Sequence, residues 1–178
     1  MSRLMVGEPA PGFKNLLGVD GKRYSLQDFK DKKVVAIIIS CNHCPTVKAY
    51  ESRMIGMQRE YAKRGFSLIA INPNDSRLYP EDSYDNMVVR AREKGFNFPY
   101  LRDEDQGVAR TYGAERTPEV FLLDGKRVLR YHGRIDDNIE DPKGVRVHYL
   151  RDAVEALLTG KAVPVAETTP VGCTVKWA

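Results

Sequence analysis

The stretch Val34-Val35-Ala36-Ile37-Ile38-Ile39-Ser40-Cys41-Asn42-His43-Cys44-Pro45 decides the reading of this chain. Its first half is an unbroken apolar run rich in β-branched residues, the pattern of a strand buried on both faces. Its second half carries two of the chain's three cysteines, separated by two residues. Beyond it Val47, Tyr50, Met54, Met57 and Tyr61 recur three or four apart, which predicts a helix from about Cys44 to Lys63 with Gly65 as its stop. A strand feeding two cysteines into the first turn of a helix brings two sulfurs within bonding range of each other.

That context points to redox chemistry. A thiol of ordinary pKa, about 8.5, is mostly protonated at neutral pH, and only the thiolate attacks. At a helix N-terminus the unpaired backbone N–H groups and the positive end of the helix dipole favour the anion. The expected roles are Cys41 as attacking nucleophile and Cys44 as resolving thiol, with His43 between them tuning the thiolate. Pro45 falls in the first helical turn, where its missing N–H costs little. The competing reading is half of a zinc site. It lacks a second cysteine pair and leaves only Cys173, His132 and His148 as further ligands, so no metal and no cofactor is expected.

Composition agrees with a soluble globular chain: 178 residues, 42% hydrophobic and 29% charged, with a dispersed net charge of +4 that implies neither nucleic acid nor a membrane surface as partner. The start has no apolar core of signal-peptide length, and no later run approaches the roughly 18 residues of a membrane helix. A cytoplasmic location is the expectation, and so few cysteines argue against a structural disulfide framework.

Outward from the motif, Phe13 to Leu17 and Lys22 to Leu26 predict a hairpin turning at Asp20-Gly21, with Ser25 capping a short turn through Phe29. Phe66 to Ile71 predicts a second buried strand, Glu81 to Lys94 a helix, Phe98 to Leu101 a strand and Asp105 to Tyr112 a short helix. Val120 to Leu123 and Arg127 to Tyr131 form a late hairpin, and His148 to Leu158 an amphipathic last helix. The charged stretches 102 to 105 and 136 to 143 are read as solvated loops. The order predicts parallel pairing of the early strands, an antiparallel late hairpin and one domain over residues 1–178, with 161–178 a tail packed on it.

Strand, Cys-x-x-Cys, helix, and then Thr117-Pro118 directly before a late hairpin resembles the thioredoxin superfamily. Ala10-Pro11-Gly12-Phe13, Asp20-Gly21 and Ser25-Leu26 are similar to its redoxin branch, which includes peroxiredoxins and TlpA-like reductases. Asn72-Pro73-Asn74-Asp75, Tyr79-Pro80-Glu81-Asp82 and Thr169-Pro170-Val171-Gly172-Cys173 extend the likeness, to bacterial thioredoxin-like proteins with this motif, over nearly the whole chain. The resemblance implies an α/β fold: a thioredoxin-like three-layer α/β/α sandwich with an N-terminal hairpin extension and a redoxin-type insertion. It implies a cis Thr117-Pro118 bond packed against the cysteines, with the backbone before it aligning a disulfide- or thiol-bearing protein or a small thiol.

The chain departs from the family pattern in informative places. Peroxiredoxins place a threonine three residues before the peroxidatic cysteine; Cys44-Pro45 matches their cysteine-proline pair, but the threonine slot holds Cys41. Their arginine belongs about where Pro118 stands, and Arg116 is out of register. Thiol peroxidase activity through Cys44 is therefore the alternative to disulfide exchange, and a metal-binding module the second alternative. Val35 stands where thioredoxin buries an aspartate, so the resemblance names no proton acceptor for Cys44. Cys173 is either a packed free thiol or a third redox thiol exchanging with the pair.

Overall fold

The computed structural model describes residues 3–178, and its centre is the apolar run that opens the motif. Strand β3 (Val34–Ile39) is buried along its whole length. Alternate side chains serve opposite faces. Val34, Ala36 and Ile38 enter one apolar cluster, and Val35, Ile37 and Ile39 enter the other.

Around it run β1 (Leu16–Gly18), β2 (Arg23–Tyr24), β4 (Phe66–Asn72), β5 (Tyr100–Arg102), β7 (Glu119–Leu123) and β8 (Leu129–Gly133). Together with β3 they form one seven-stranded sheet in the order β2-β1-β5-β4-β3-β7-β8. β3, β4 and β5 pair in parallel, while β7 pairs antiparallel with both β3 and β8. Two parallel neighbours need a crossover connection, and α1 (Pro45–Tyr61) supplies the one from β3 to β4. Leu26–Phe29 forms the short turn expected after Ser25, whose N–H donates to Asp28 at 2.8 Å.

Helices α1, α2 (Tyr84–Lys94) and α4 (Tyr149–Leu158) cover one face, burying Tyr50, Met54, Met57, Met87, Leu150 and Val154. Helix α3 (Gly107–Tyr112) and the N-terminal segment around Phe13 and Phe29 cover the other. The result is the α/β sandwich expected from the element order. A separate two-stranded ribbon joins β6 (Arg116–Thr117) to β9 (Cys173–Thr174) near the tail's end. No described helix is long and apolar enough to cross a membrane.

Two expectations fail. Arg102, Asp103 and Asp136, read as parts of solvated loops, are buried. Each has found the partners burial demands. Arg102 donates to the carbonyls of Asn72, Asn74 and Asp82, and Asp103 accepts the N–H groups of Val108 and Ala109. Asp136 accepts the Tyr50 hydroxyl at 2.7 Å and the Arg53 guanidinium at 2.8 Å. These partners lie on other elements, so local charge density read as solvent exposure was misleading.

Candidate active site

The cysteine pair sits where β3 ends and α1 begins, and within it the two sulfurs are not equivalent. Pro45 presets a helical φ and is the first helical residue, so Cys44 occupies the cap position and Cys41 lies one turn farther out. The expectation had centred the helix-terminus effect on Cys41; the position of Pro45 transfers it to Cys44. All three cysteines are free thiols. Cys41 is 2% exposed and Cys44 fully buried, whereas Cys173 is partly exposed and packs against the cluster that they form with Val47.

The electrostatics separate the pair further. The neighbouring Cys41 thiol favours the anionic form of Cys44, whose pKa is lowered to about 3 against the opposing cost of burial. The Cys173 thiol and the backbone N–H groups of Val47 and Cys173 act in the same direction. Cys41 is pushed far above the ordinary thiol range, first by that shared proton and then by burial. Cys173 is raised to about 11, chiefly by burial and then by its contact with Cys44. The electrostatics thus favour the thiolate on Cys44 over Cys41 and Cys173.

Thr117 faces both sulfurs. Its Oγ1 lies 3.5 Å from Cys41 Sγ and its carbonyl oxygen 3.5 Å from Cys44 Sγ. The carbonyl contact favours a protonated Cys44 and so opposes the effect of the neighbouring thiols. The Thr117-Pro118 bond is cis, as the resemblance implied.

The motif's middle residues reach a loop that sequence reasoning did not assign to the site. His43 Nδ1 is 2.7 Å from the fully buried Asp82 carboxylate. The ring's approach is out of line for a hydrogen bond, so this contact is an electrostatic one. The Asn42 N–H donates to Asp82 at 2.7 Å, the Asn42 side-chain amide donates to the Glu81 carbonyl, and the Tyr100 hydroxyl donates to Asn42 Oδ1. Asn72 and Asn74 also donate to Asp82. Thus Asp82 brings a buried carboxylate to the pair from the chain between β4 and α2, while Val35 remains an apolar core residue. The only sequence signal was its place in Tyr79-Pro80-Glu81-Asp82. Donor atoms of Cys41, His43 and Asp82 lie within 4.8 Å of one another, and among the described residues these three form the group that could hold a metal ion. Asp82, however, is already engaged by Asn42, Asn72 and Asn74.

The tail covers this arrangement. β9 pairs antiparallel with β6, setting Cys173 opposite Thr117. A Cβ on Gly172 would come within 2.0 Å of the Thr117 carbonyl oxygen, so only glycine permits this approach. Arg116 is exposed and donates to the Gly172 carbonyl at 3.4 Å. A surface groove of about 860 Å³, lined by Phe13, Leu26 and Arg127, holds none of the cysteines. The chemistry lies under the tail instead.

Comparison with known proteins agrees with this geometry. The Redoxin family profile matches residues 5–147. Peroxiredoxin-2 of Macaca fascicularis is 30% identical over 141 residues, covering 70% of this chain and 67% of that protein. The thiol:disulfide interchange protein DsbE of Yersinia pestis is 27% identical over 141 residues, covering 76% of this chain and 68% of that protein. A crystal structure of an uncharacterized conserved protein from Geobacillus kaustophilus is 38% identical, covers 99% of this chain and 94% of its own, and superposes with a TM-score of 0.92.

Proposed function

The chain belongs to the redoxin family, and from that premise we propose that it is a thiol-disulfide oxidoreductase of a reducing, cytoplasmic setting whose Cys41/Cys44 pair exchanges disulfides with a protein or small-thiol partner. The observation that carries the reading is the position of Cys44 at the cap of α1, beside Cys41 and against Cys173, where its pKa is lowered. It reverses the roles expected from the motif alone. Cys44, the resting thiolate, attacks one sulfur of the partner's disulfide and expels the other as a thiolate. Cys41 then gives up its proton, with Asp82 and His43 as the nearby acceptor pair, and attacks Cys44 Sγ. The Cys41–Cys44 disulfide forms and the partner leaves reduced.

Exposed Leu78 and Val171 lie in the segments that carry Asp82 and Cys173, an apolar rim suited to a partner's chain. The experiment is insulin reduction by the wild type, Cys41→Ser and Cys44→Ser. Cys41→Ser in a Cys173→Ser background is expected to stop at a trapped mixed disulfide, and Cys44→Ser to do nothing. Sustained reduction by Cys44→Ser overturns the assignment.

A second reading, thiol peroxidase, is favoured by the thiolate falling on the cysteine that precedes Pro45 and by the 30% identity to Peroxiredoxin-2. Peroxide would oxidise Cys44 to a sulfenic acid and Cys41 would resolve it. Against it stand Cys41 in the threonine slot and the turn of Arg116 toward Gly172. Peroxide consumption no faster than that of free cysteine excludes it.

A further inference from the structure

The least explained part of the site is the tail. Its two flanks are anchored independently. On one side the His132 N–H donates to the Ala166 carbonyl, the Thr168 N–H donates to the His132 carbonyl, and Glu167 lies 2.9 Å from His132 Nδ1. On the other the Lys176 N–H donates to Asn74 Oδ1, and the Lys176 carbonyl accepts the Asp75 N–H. Between these anchors β9 adds a strand to the edge of β6, the way an extended segment is recognised by a sheet edge. Gly172 lets the backbone press onto Thr117, and the next residue delivers a sulfur to Cys44.

We propose that β9 is a built-in substrate strand and that Cys173 is a third redox thiol, relaying the oxidised state of the buried pair to the surface through a Cys44–Cys173 disulfide. This rests on the disulfide-exchange reading and names the first partner of that chemistry: the chain's own tail. In the relay step Cys173 Sγ attacks Cys44 Sγ of the Cys41–Cys44 disulfide. The Cys44–Cys173 bond forms, the Cys41–Cys44 bond breaks, and the proton lost by Cys173 ends on Cys41. The step needs no further oxidant, because one disulfide replaces another. A thiol partner then attacks Cys173 Sγ, and Cys44 leaves as the thiolate. Cys173 is the most exposed of the three sulfurs, so a small thiol meets it before the buried pair.

The test oxidises reduced full-length wild type, Cys41→Ser and Cys41→Ala with diamide and maps disulfides by mass spectrometry of unreduced digests. Circular dichroism establishes that each variant is folded. The expected result is an intramolecular Cys44–Cys173 bridge in both variants and a Cys41–Cys44 bridge in the wild type. Wild-type bridging with variants that keep free thiols, or join only between molecules, overturns the relay alone. Absence of the wild-type bridge overturns the relay together with the reading beneath it. In a parallel assay, reduction of oxidised Cys173→Ser by glutathione is expected to be at least about tenfold slower than that of oxidised wild type. Equal rates overturn the relay.

Discussion

Helices α1 and α2 open in nearly the same way. Cys44 caps the first with φ −65° and ψ 126°, and Ser83 caps the second with φ −62° and ψ 157°. At α2 the Ser83 hydroxyl accepts the Asn86 N–H at 3.2 Å, an ordinary oxygen cap whose effect is spent on helix stability. At α1 the cap residue is Cys44, whose sulfur makes no cap hydrogen bond, so the unpaired N–H groups and the dipole remain to favour an anion beside them. The two junctions also touch, since Asp82, next to Ser83, accepts the Asn42 N–H. One backbone device thus serves stability at one helix and reactivity at the other, and the cap atom makes the difference.

Making the two caps alike is the strongest way to break the comparison. Cys44→Ser turns α1 into a helix like α2. Disulfide exchange should fall about a thousandfold or more. Retained exchange would mean that the cap sulfur is not the reacting one.

Acid titration sharpens the same contrast. With Cys44 depressed to about 3 against an ordinary value of 9.0, the difference in thiolate ultraviolet absorbance between reduced wild type and Cys44→Ser should persist. It should survive down to about pH 5, where an unperturbed thiol is fully protonated. The sign for stability follows. A depressed acid adds stability that is complete above its unfolded pKa and is lost as pH falls through the folded one, so this contribution declines from about 9 toward about 3. A thiolate signal that vanishes near pH 8 would return Cys44 to the status of an ordinary cap.

Gly172→Ala separates the tail's share of the Cys44 environment from the helix's share. The added methyl meets the Thr117 carbonyl, so β9 should lift from β6 at a cost of roughly 1–3 kcal/mol. Faster alkylation of Cys173 and faster hydrogen exchange at the Val175 amide, which bonds to the Glu115 carbonyl, report it. Unchanged exchange would show that the strand tolerates the methyl.

His43 acts on the pair through Asp82. Removing it by His43→Ala leaves that carboxylate facing Cys41 without the imidazole, which disfavours a thiolate. The wild-type potential should be less negative than the roughly −270 mV of thioredoxin, and the variant's should move about 30 mV more negative. No movement would assign His43 to the surface. Ser83→Ala is the smallest perturbation: about 1 kcal/mol of stability lost at α2, measured by thermal unfolding, with exchange kinetics unchanged.

Much of this was readable in advance, and what was not has a common physical cause. The run Val34 to Ile39 announces a doubly buried strand because every residue is apolar, and the spacing from Val47 to Tyr61 announces the covering helix. Cys41, Cys44 and Thr117-Pro118 marked the site by context. Asp82 looked like one of several acids in a polar stretch, yet it lies buried against His43. Asp136 looked solvated and is held by Tyr50 and Arg53. Whether a charge can be buried depends on partners supplied from elsewhere in the chain, and local patterns do not record them.

Sequence by itself therefore determined the elements, their order and the pair of sulfurs at a helix start, because periodicity, β-branching and Pro45 act within a few residues of one another. Tertiary structure alone decided what faces the two sulfurs. Asp82, Thr117 and Cys173 reach the pair only when the sheet, the loop after β4 and the tail close around it. The balance between burial and donated hydrogen bonds, which sets the state of Cys44, comes into being only there.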